Sequence, residues 1–164
     1  MAPEVLPDPI LVALKVAALL ERLDIPYLAV GSLASSLHGA PRSTDDVDFV
    51  VALDPAAAQR LVAALSPEYY VSPEAAHEAA SAQRAGSFNA IHLPTAVKVD
   101  LFVAGEDAFD LERLHRRRRV RLVEGAPTEL FVDTPEHTVL RKLEWYRRGG
   151  EVSERQWRDV HAVC

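Results

Sequence analysis

Two short runs limit the fold of this chain more than anything else in it: "DVDFVVAL" at positions 46–53 and "VKVDLFV" at 97–103. Both are rich in valine and phenylalanine, which favour pleated, half-buried backbone. The first carries acids at alternate positions, and the second a lysine and an acid. Strand side chains alternate between faces, so Asp46 and Asp48 share one face while Val47 and Phe49 share the other. Asp45 faces away from Asp46 and reads as a loop or capping residue. In the second run Lys98, Asp100 and Phe102 face one way, and Val97, Val99, Leu101 and Val103 the other. The chain therefore needs a sheet with one fully buried face and one face carrying charge at its rim. If the two runs are neighbours, Asp100 lies one strand spacing, about 4.8 Å, from the first pair, and the three carboxylates close a triangle.

The surrounding sequence alternates helical and extended patterns. Ile10, Leu11, Leu14, Ala17, Ala18 and Leu23 recur at helical spacing and predict a helix over residues 9–23, ended by Pro26. "YLAV" reads as a short buried strand, and Gly31-Ser32 turns into a helix over residues 32–38. Asp54-Pro55 is an N-cap followed by proline at the first helical position. "SPEAAHEAASAQR" predicts a further short helix, and "SFNAIHL", Pro94-Thr95 and "AVKVDLFV" a β-hairpin. "DAFDLERLHR" is helical; "RRVRLV" and "ELFVD" form a second hairpin. Thr134-Pro135-Glu136 opens a helix running to position 148, and Ser153 opens a last one. This is the pattern of an α/β (α+β) domain with a mixed β-sheet and flanking helices. No interior stretch reads as a linker, so residues 1–164 are expected to form a single domain, with helices in 135–164 packing on it.

Nearly half of the 164 residues are apolar, enough for one sizeable core. The formal net charge of −6 argues against a protein that coats nucleic acid non-specifically, though not against a local basic patch. A single cysteine, Cys164, excludes a disulfide framework within the chain and fits a reducing cytoplasm. The N-terminal apolar run follows acids and prolines, is interrupted by Lys15 and ends in Glu-Arg. It reads as an amphipathic helix too short to span a bilayer, so no membrane association is expected.

The chemistry lies in the acids. Cα atoms of Asp46 and Asp48 are about 6.6 Å apart at the strand rise. Carboxylates so placed can converge on metal ions about 3.5–4 Å apart. Hard oxygen ligands on a rigid element suit Mg²⁺, with Mn²⁺ as an alternative. Three close anions without a cation would each have a raised pKa, so such a site expects metal. Strand, glycine and helix start, as at Gly31-Ser32, is also how a backbone offers N–H groups to phosphate.

"GS" at a strand end followed by "RSTDDVDFVV" resembles the signature of the nucleotidyltransferase superfamily, whose fold is of the DNA polymerase beta type. The run Arg42, Thr44, Asp46, Asp48 is similar to the Arg-x-Thr-x-Asp-x-Asp form of tRNA-end nucleotidyltransferases and abortive-infection type toxins. The resemblance covers residues 27–159. It implies two Mg²⁺ held by Asp46 and Asp48, with Asp100 as third ligand or activator of an acceptor hydroxyl. It implies that Gly31 and Ser32 grip the triphosphate of an NTP such as ATP, with Arg42 and Thr44 beside it. The segment from "TPEHTVLRKLEW" to Arg158-Asp159 is similar to the toxin-like branch, which implies that Lys142 reaches nucleotide phosphate and that Asp159 supports the site. The implied activity moves an NMP to a hydroxyl on an RNA 3′ end, a protein or a small molecule. A bacterial toxin–antitoxin or defence pair, with a cognate partner, is the implied setting. The sequence stops soon after Asp159, where relatives carry more helix, so the acceptor-binding part is expected to be absent or supplied by another subunit. The alternative is a non-catalytic module of the same fold: an antitoxin, a partner subunit or a nucleotide sensor.

Other features have plainer readings. Lys98 shares a face with Asp100 and either pairs with it or touches phosphate. Arg113, Arg116, Arg117, Arg118, Arg119 and Arg121 suggest an RNA or acceptor surface, or a charged edge strand that resists aggregation. Alternation splits the run between two faces, which favours the edge strand. The six histidines lack metal-ligand spacing, Trp145 and Trp157 read as packing anchors, and Cys164 has no base motif beside it.

Overall fold

A computed structural model describes residues 8–31, 33, 46–82, 86–122, 129–148 and 158, with the side chains of 145 and 148 excepted. In chain order the elements are α1 (Asp8–Arg22), β1 (Tyr27–Val30), β2 (Asp46–Val51), α2 (Pro55–Leu65), β3 (Tyr69–Val71) and α3 (Pro73–Ser81). They continue with β4 (Ser87–His92), β5 (Lys98–Val103), α4 (Ala108–Arg116), β6 (Arg118–Arg121), β7 (Glu129–Val132) and α5 (Pro135–Arg148). The expected helix over 32–38 and the last helix from 153 fall outside the described residues, apart from helical positions 33 and 158.

Local chemistry sets the boundaries. Asp54 Oδ1 accepts from the Ala57 N–H at 2.7 Å, and Ser72 Oγ from Ala75 at 3.1 Å, each before a proline at the helix start. Thr134 caps α5 by accepting from the His137 N–H at 3.3 Å. The strand β3 was not foreseen: "YYV" is three residues long, and it is strand because it pairs antiparallel with β4.

The strands form a seven-stranded mixed sheet in the order β3-β4-β5-β2-β1-β7-β6. The pairs β2–β5 and β1–β7 are parallel, and the other four are antiparallel. One face carries the main core: Val47, Phe49 and Val51 of β2 and Val99, Leu101 and Val103 of β5 bury against Val12, Val16 and Leu20 of α1 and Leu61 and Leu65 of α2. Burying a side chain of this size is worth about 1.5–3 kcal/mol, so this face supplies most of the driving force. Tyr27 ties the layers together; its hydroxyl donates to Glu21 and accepts from the Phe131 N–H, both at 3.2 Å.

Among the described residues the opposite face is only partly covered. Leu114 of α4 packs there with Leu28 and Val50, joined by Val30, Ala52, Phe102 and Ala104. Beyond that small cluster, on the same face of β2 and β5, stand Asp46, Asp48, Lys98 and Asp100.

Candidate active site

The site begins with a register. Parallel pairing of β2 and β5 sets Asp46 opposite Lys98 and Asp48 opposite Asp100. Six consecutive matched positions, backed by buried valines and leucines, fix it. A slip of one residue would turn the acids into the core. On the other side of β2, Asp48 pairs with Val30, so Asp48 lies where β1 ends and Gly31 turns the chain.

Gly31 explains itself at this contact. Its φ is +68°, in the left-handed region that favours glycine, and a Cβ built there would overlap Asp48 Oδ2. The sequence reading assigned this glycine to phosphate; in the structure it first makes room for a carboxylate.

Electrostatically the cluster is under tension. The Asp48 carboxyl is pushed up to about 6, first by burial and then by the charges of Asp100 and Asp46, which Lys98 only partly offsets. The Lys98 ammonium is 3.1 Å from Asp100 Oδ2 and 3.9 Å from Asp46 Oδ2. That hydrogen bond and the nearby carboxylates raise the lysine's own pKa.

The donor chemistry fits a hard divalent cation: three carboxylates share one sheet face, and the charged form of Asp48 is disfavoured by burial and by its neighbours. An ammonium already bridges two of them. Among the described residues no three acidic, His or Cys side chains converge on a metal-sized point, and Lys98 lies between Asp46 and Asp100. Asp46, Asp48 and Asp100 are the residues that could hold the ion.

The second half of the site's surroundings comes from the C-terminal elements. β1 and β7 run parallel with Ala29 level with Val132, and the Asp133 N–H donates to the Ala29 carbonyl at 3.3 Å. Hence α5 starts at the same end of the sheet as Asp48, two strands away, about 10 Å. Lys142 lies on this helix and is buried. Ser32, Arg42, Thr44, Asp45, Asp159, Trp157 and Cys164 lie outside the described residues.

A buried ionic network went unread in the sequence. Arg113 was grouped with the arginine run, yet it belongs to α4 and is 2% exposed. Its Nε and Nη2 donate to Asp133 Oδ2 at 2.9 and 2.6 Å, and Nη1 reaches Asp110 Oδ1 at 3.5 Å. Arg141 of α5 donates to the same Asp110 oxygen at 3.0 Å. Phe109 lies under both guanidinium groups and edge-on to His137. The signal was there: helical spacing puts Asp110 and Arg113 together, as alternation cannot. Arg116 ends α4, and the arginines of β6 behave as an edge strand: among the described residues β6 ends the sheet, Arg119 lies over Phe131 together with Arg117, which precedes the strand, and Arg119 and Arg121 pair with Glu129.

A mixed sheet whose first strand ends in glycine, with a paired acid motif on the next strand and a third acid on its parallel neighbour, is the nucleotidyltransferase fold. Solved structures agree. The chain is similar to an antigenic nucleotidyltransferase-like protein from Paracoccidioides brasiliensis (TM-score 0.61, 19% identity, 95% of this chain and 74% of that one). It is also similar to ANT(2″)-Ia in complex with adenylyl-2″-tobramycin (TM-score 0.60, 14% identity, 94% and 87%). A third is the lincosamide antibiotic adenylyltransferase LnuA, lincomycin-bound (TM-score 0.56, 11% identity, 96% of both chains). No protein-family model matches the sequence, and no curated protein matches it. No helix among the described residues is long and apolar enough to cross a membrane.

Proposed function

We propose that the protein is a Mg²⁺-dependent nucleotidyltransferase, which moves an NMP from an NTP to an acceptor hydroxyl and releases pyrophosphate. The observation that carries this reading is the register of Asp48 against Asp100, with Asp46 beside them and Gly31 at the strand end. Nothing in a packing role requires three carboxylates side by side on one sheet face, and their mutual repulsion costs stability.

The acceptor oxygen attacks the α-phosphorus, and the bond to the β-phosphate oxygen breaks as pyrophosphate leaves. Bound Mg²⁺ would supply neutralisation of the charge that builds on the phosphate oxygens. Asp46 and Asp48 would hold it from one rigid strand. Asp100 would be the third ligand or take the proton of the acceptor hydroxyl. The turn after β1 would offer backbone N–H groups to the triphosphate, with Ser32, Arg42 and Thr44 beside it, and Lys142 would approach from α5. Manganese would serve in place of magnesium.

An RNA end, a protein or a small molecule would be the acceptor. The likeness to two antibiotic adenylyltransferases supports including hydroxyl-bearing antibiotics. The resemblance of the stretch from Thr134 to Asp159 to the toxin-like branch supports a toxin–antitoxin setting, and the single cysteine supports a cytoplasmic protein.

The test is label transfer. Each α-labelled NTP is incubated with Mg²⁺ and, in turn, bulk tRNA, cell lysate and a panel of aminoglycosides and lincosamides. Wild-type protein is expected to label one acceptor class, and an Asp46→Asn, Asp48→Asn double variant is expected to lose at least about a hundredfold of that rate. Tight Mg-NTP binding with no transfer to any acceptor would favour the nucleotide-sensing module instead.

A further inference from the structure

Lys98 is part of the carboxylate cluster rather than a bystander. It is level with Asp46 on the neighbouring strand, and its ammonium spans to both Asp46 and Asp100. Three carboxylates and one ammonium leave a formal charge of −2 on this patch of sheet. The lysine side chain is 41% exposed on a flexible four-carbon stem, whereas Asp100 is 22% exposed on a central strand. Asp46, 55% exposed at the start of β2, and Asp100 carry short side chains on the strands, and the lysine with its longer stem is the group that can turn away.

We infer that Lys98 is a switchable counter-cation, which bridges Asp46 and Asp100 in the metal-free protein and turns to phosphate oxygens of the nucleotide once a divalent cation takes those carboxylates. This inference rests on the nucleotidyl-transfer reading. A divalent ion bound by Asp46 and Asp100 uses the oxygens that Lys98 now holds, and two cations cannot share them without repulsion. The freed ammonium then faces the most anionic group that enters the site, a triphosphate. Lysine binds such groups as a mobile point charge, with no need of a fixed fork geometry. Lys98 thus opposes metal binding in the empty protein and favours nucleotide binding in the loaded one.

Calorimetry separates the two steps. In Lys98→Met, Mn²⁺ alone is expected to bind about tenfold more tightly than in wild type. At saturating Mn²⁺ the same variant is expected to bind a non-hydrolysable NTP analogue about tenfold more weakly. Lys98→Arg keeps the charge and is expected to stay near wild type in both steps. Lys15→Met, which removes a remote exposed partner of Glu68, controls for net charge and is expected to change neither by more than twofold. If wild type binds both ligands and Lys98→Met leaves either affinity within twofold of wild type, the switch is wrong and the transfer reading stands. If wild type binds neither Mn²⁺ nor the analogue, the transfer reading fails and the switch fails with it.

Discussion

Asp48 shows what a site costs at the scale of one residue. Its ordinary carboxyl pKa is 3.8, and in the fold it is pushed up to about 6. The protonated form is therefore the one that the fold prefers. Its contribution to stability is complete below about 3.8 and is lost as pH rises through about 6. Two pK units correspond to at most about 3 kcal/mol, and solvent screening at this rim leaves about 1–2 kcal/mol. Asp48→Asn keeps the shape and a donor towards Asp100 while removing the charge. In urea melts without metal, the variant is expected to match wild type near pH 4 and to be about 1–2 kcal/mol more stable at pH 7. An identical pH dependence for the two proteins would mean that Asp48 titrates normally. The face on which Asp46 and Asp48 stand was legible in the sequence, because a period of two is all that it requires. The close approach of Asp48 to Gly31 was not, since it depends on a strand end meeting a strand middle in space.

At the scale of elements, the sequence was readable wherever one local rule decided the outcome. Proline after Asp54, Ser72 or Thr134 marks a helix start, and Pro94-Thr95 marks the turn between β4 and β5. It was unreadable where a partner decided. β3 is strand only through β4, and its Tyr70 is 67% exposed, so no hydrophobic pattern announces it. Arg113 was misplaced because a run of arginines suggests one surface, while the helix turns this one inward. Its guanidinium holds α4 to the end of β7, and through Asp110 to Arg141 of α5. Arg113→Leu fills the space but takes the cation from a carboxylate that is 1% exposed. Removing one partner of a buried ion pair costs about 3–5 kcal/mol. Thermal melts of the variant should show a loss of that order. Arg116→Leu, whose partner Glu112 is exposed, should change stability by less than about 1 kcal/mol.

For the whole molecule, the decisive fact is that the carboxylates stand on the middle of the sheet. The order β3-β4-β5-β2-β1-β7-β6 places β2 fourth of seven, with β5 beside it. Sequence could state the pairing of these strands only as a condition, because parallel strands more than forty residues apart carry no local mark of adjacency. That central placement has a thermodynamic consequence. Amides of residues 48–51 in β2 and 98–102 in β5 lie between matched strands and against the main core, so they are expected to exchange with solvent only on global unfolding. The edge strands β3 and β6, of three and four residues, open locally at lower cost. A ligand held by Asp46, Asp48 and Asp100 stabilises the native state alone. At a hundredfold excess over its dissociation constant it adds about 2.7 kcal/mol, or about 5–10 °C in Tm for a chain of this size. Mn²⁺ with a non-hydrolysable NTP is therefore expected to slow exchange in β2 and β5 about a hundredfold and to leave β3 and β6 nearly unchanged. The Asp46→Asn, Asp48→Asn protein should show neither effect. Slowing at the centre that survives the loss of the two acids would place the nucleotide away from the carboxylates. Slowing at the centre, lost with the two acids, ties binding to the one region where β1, β2 and β5 meet.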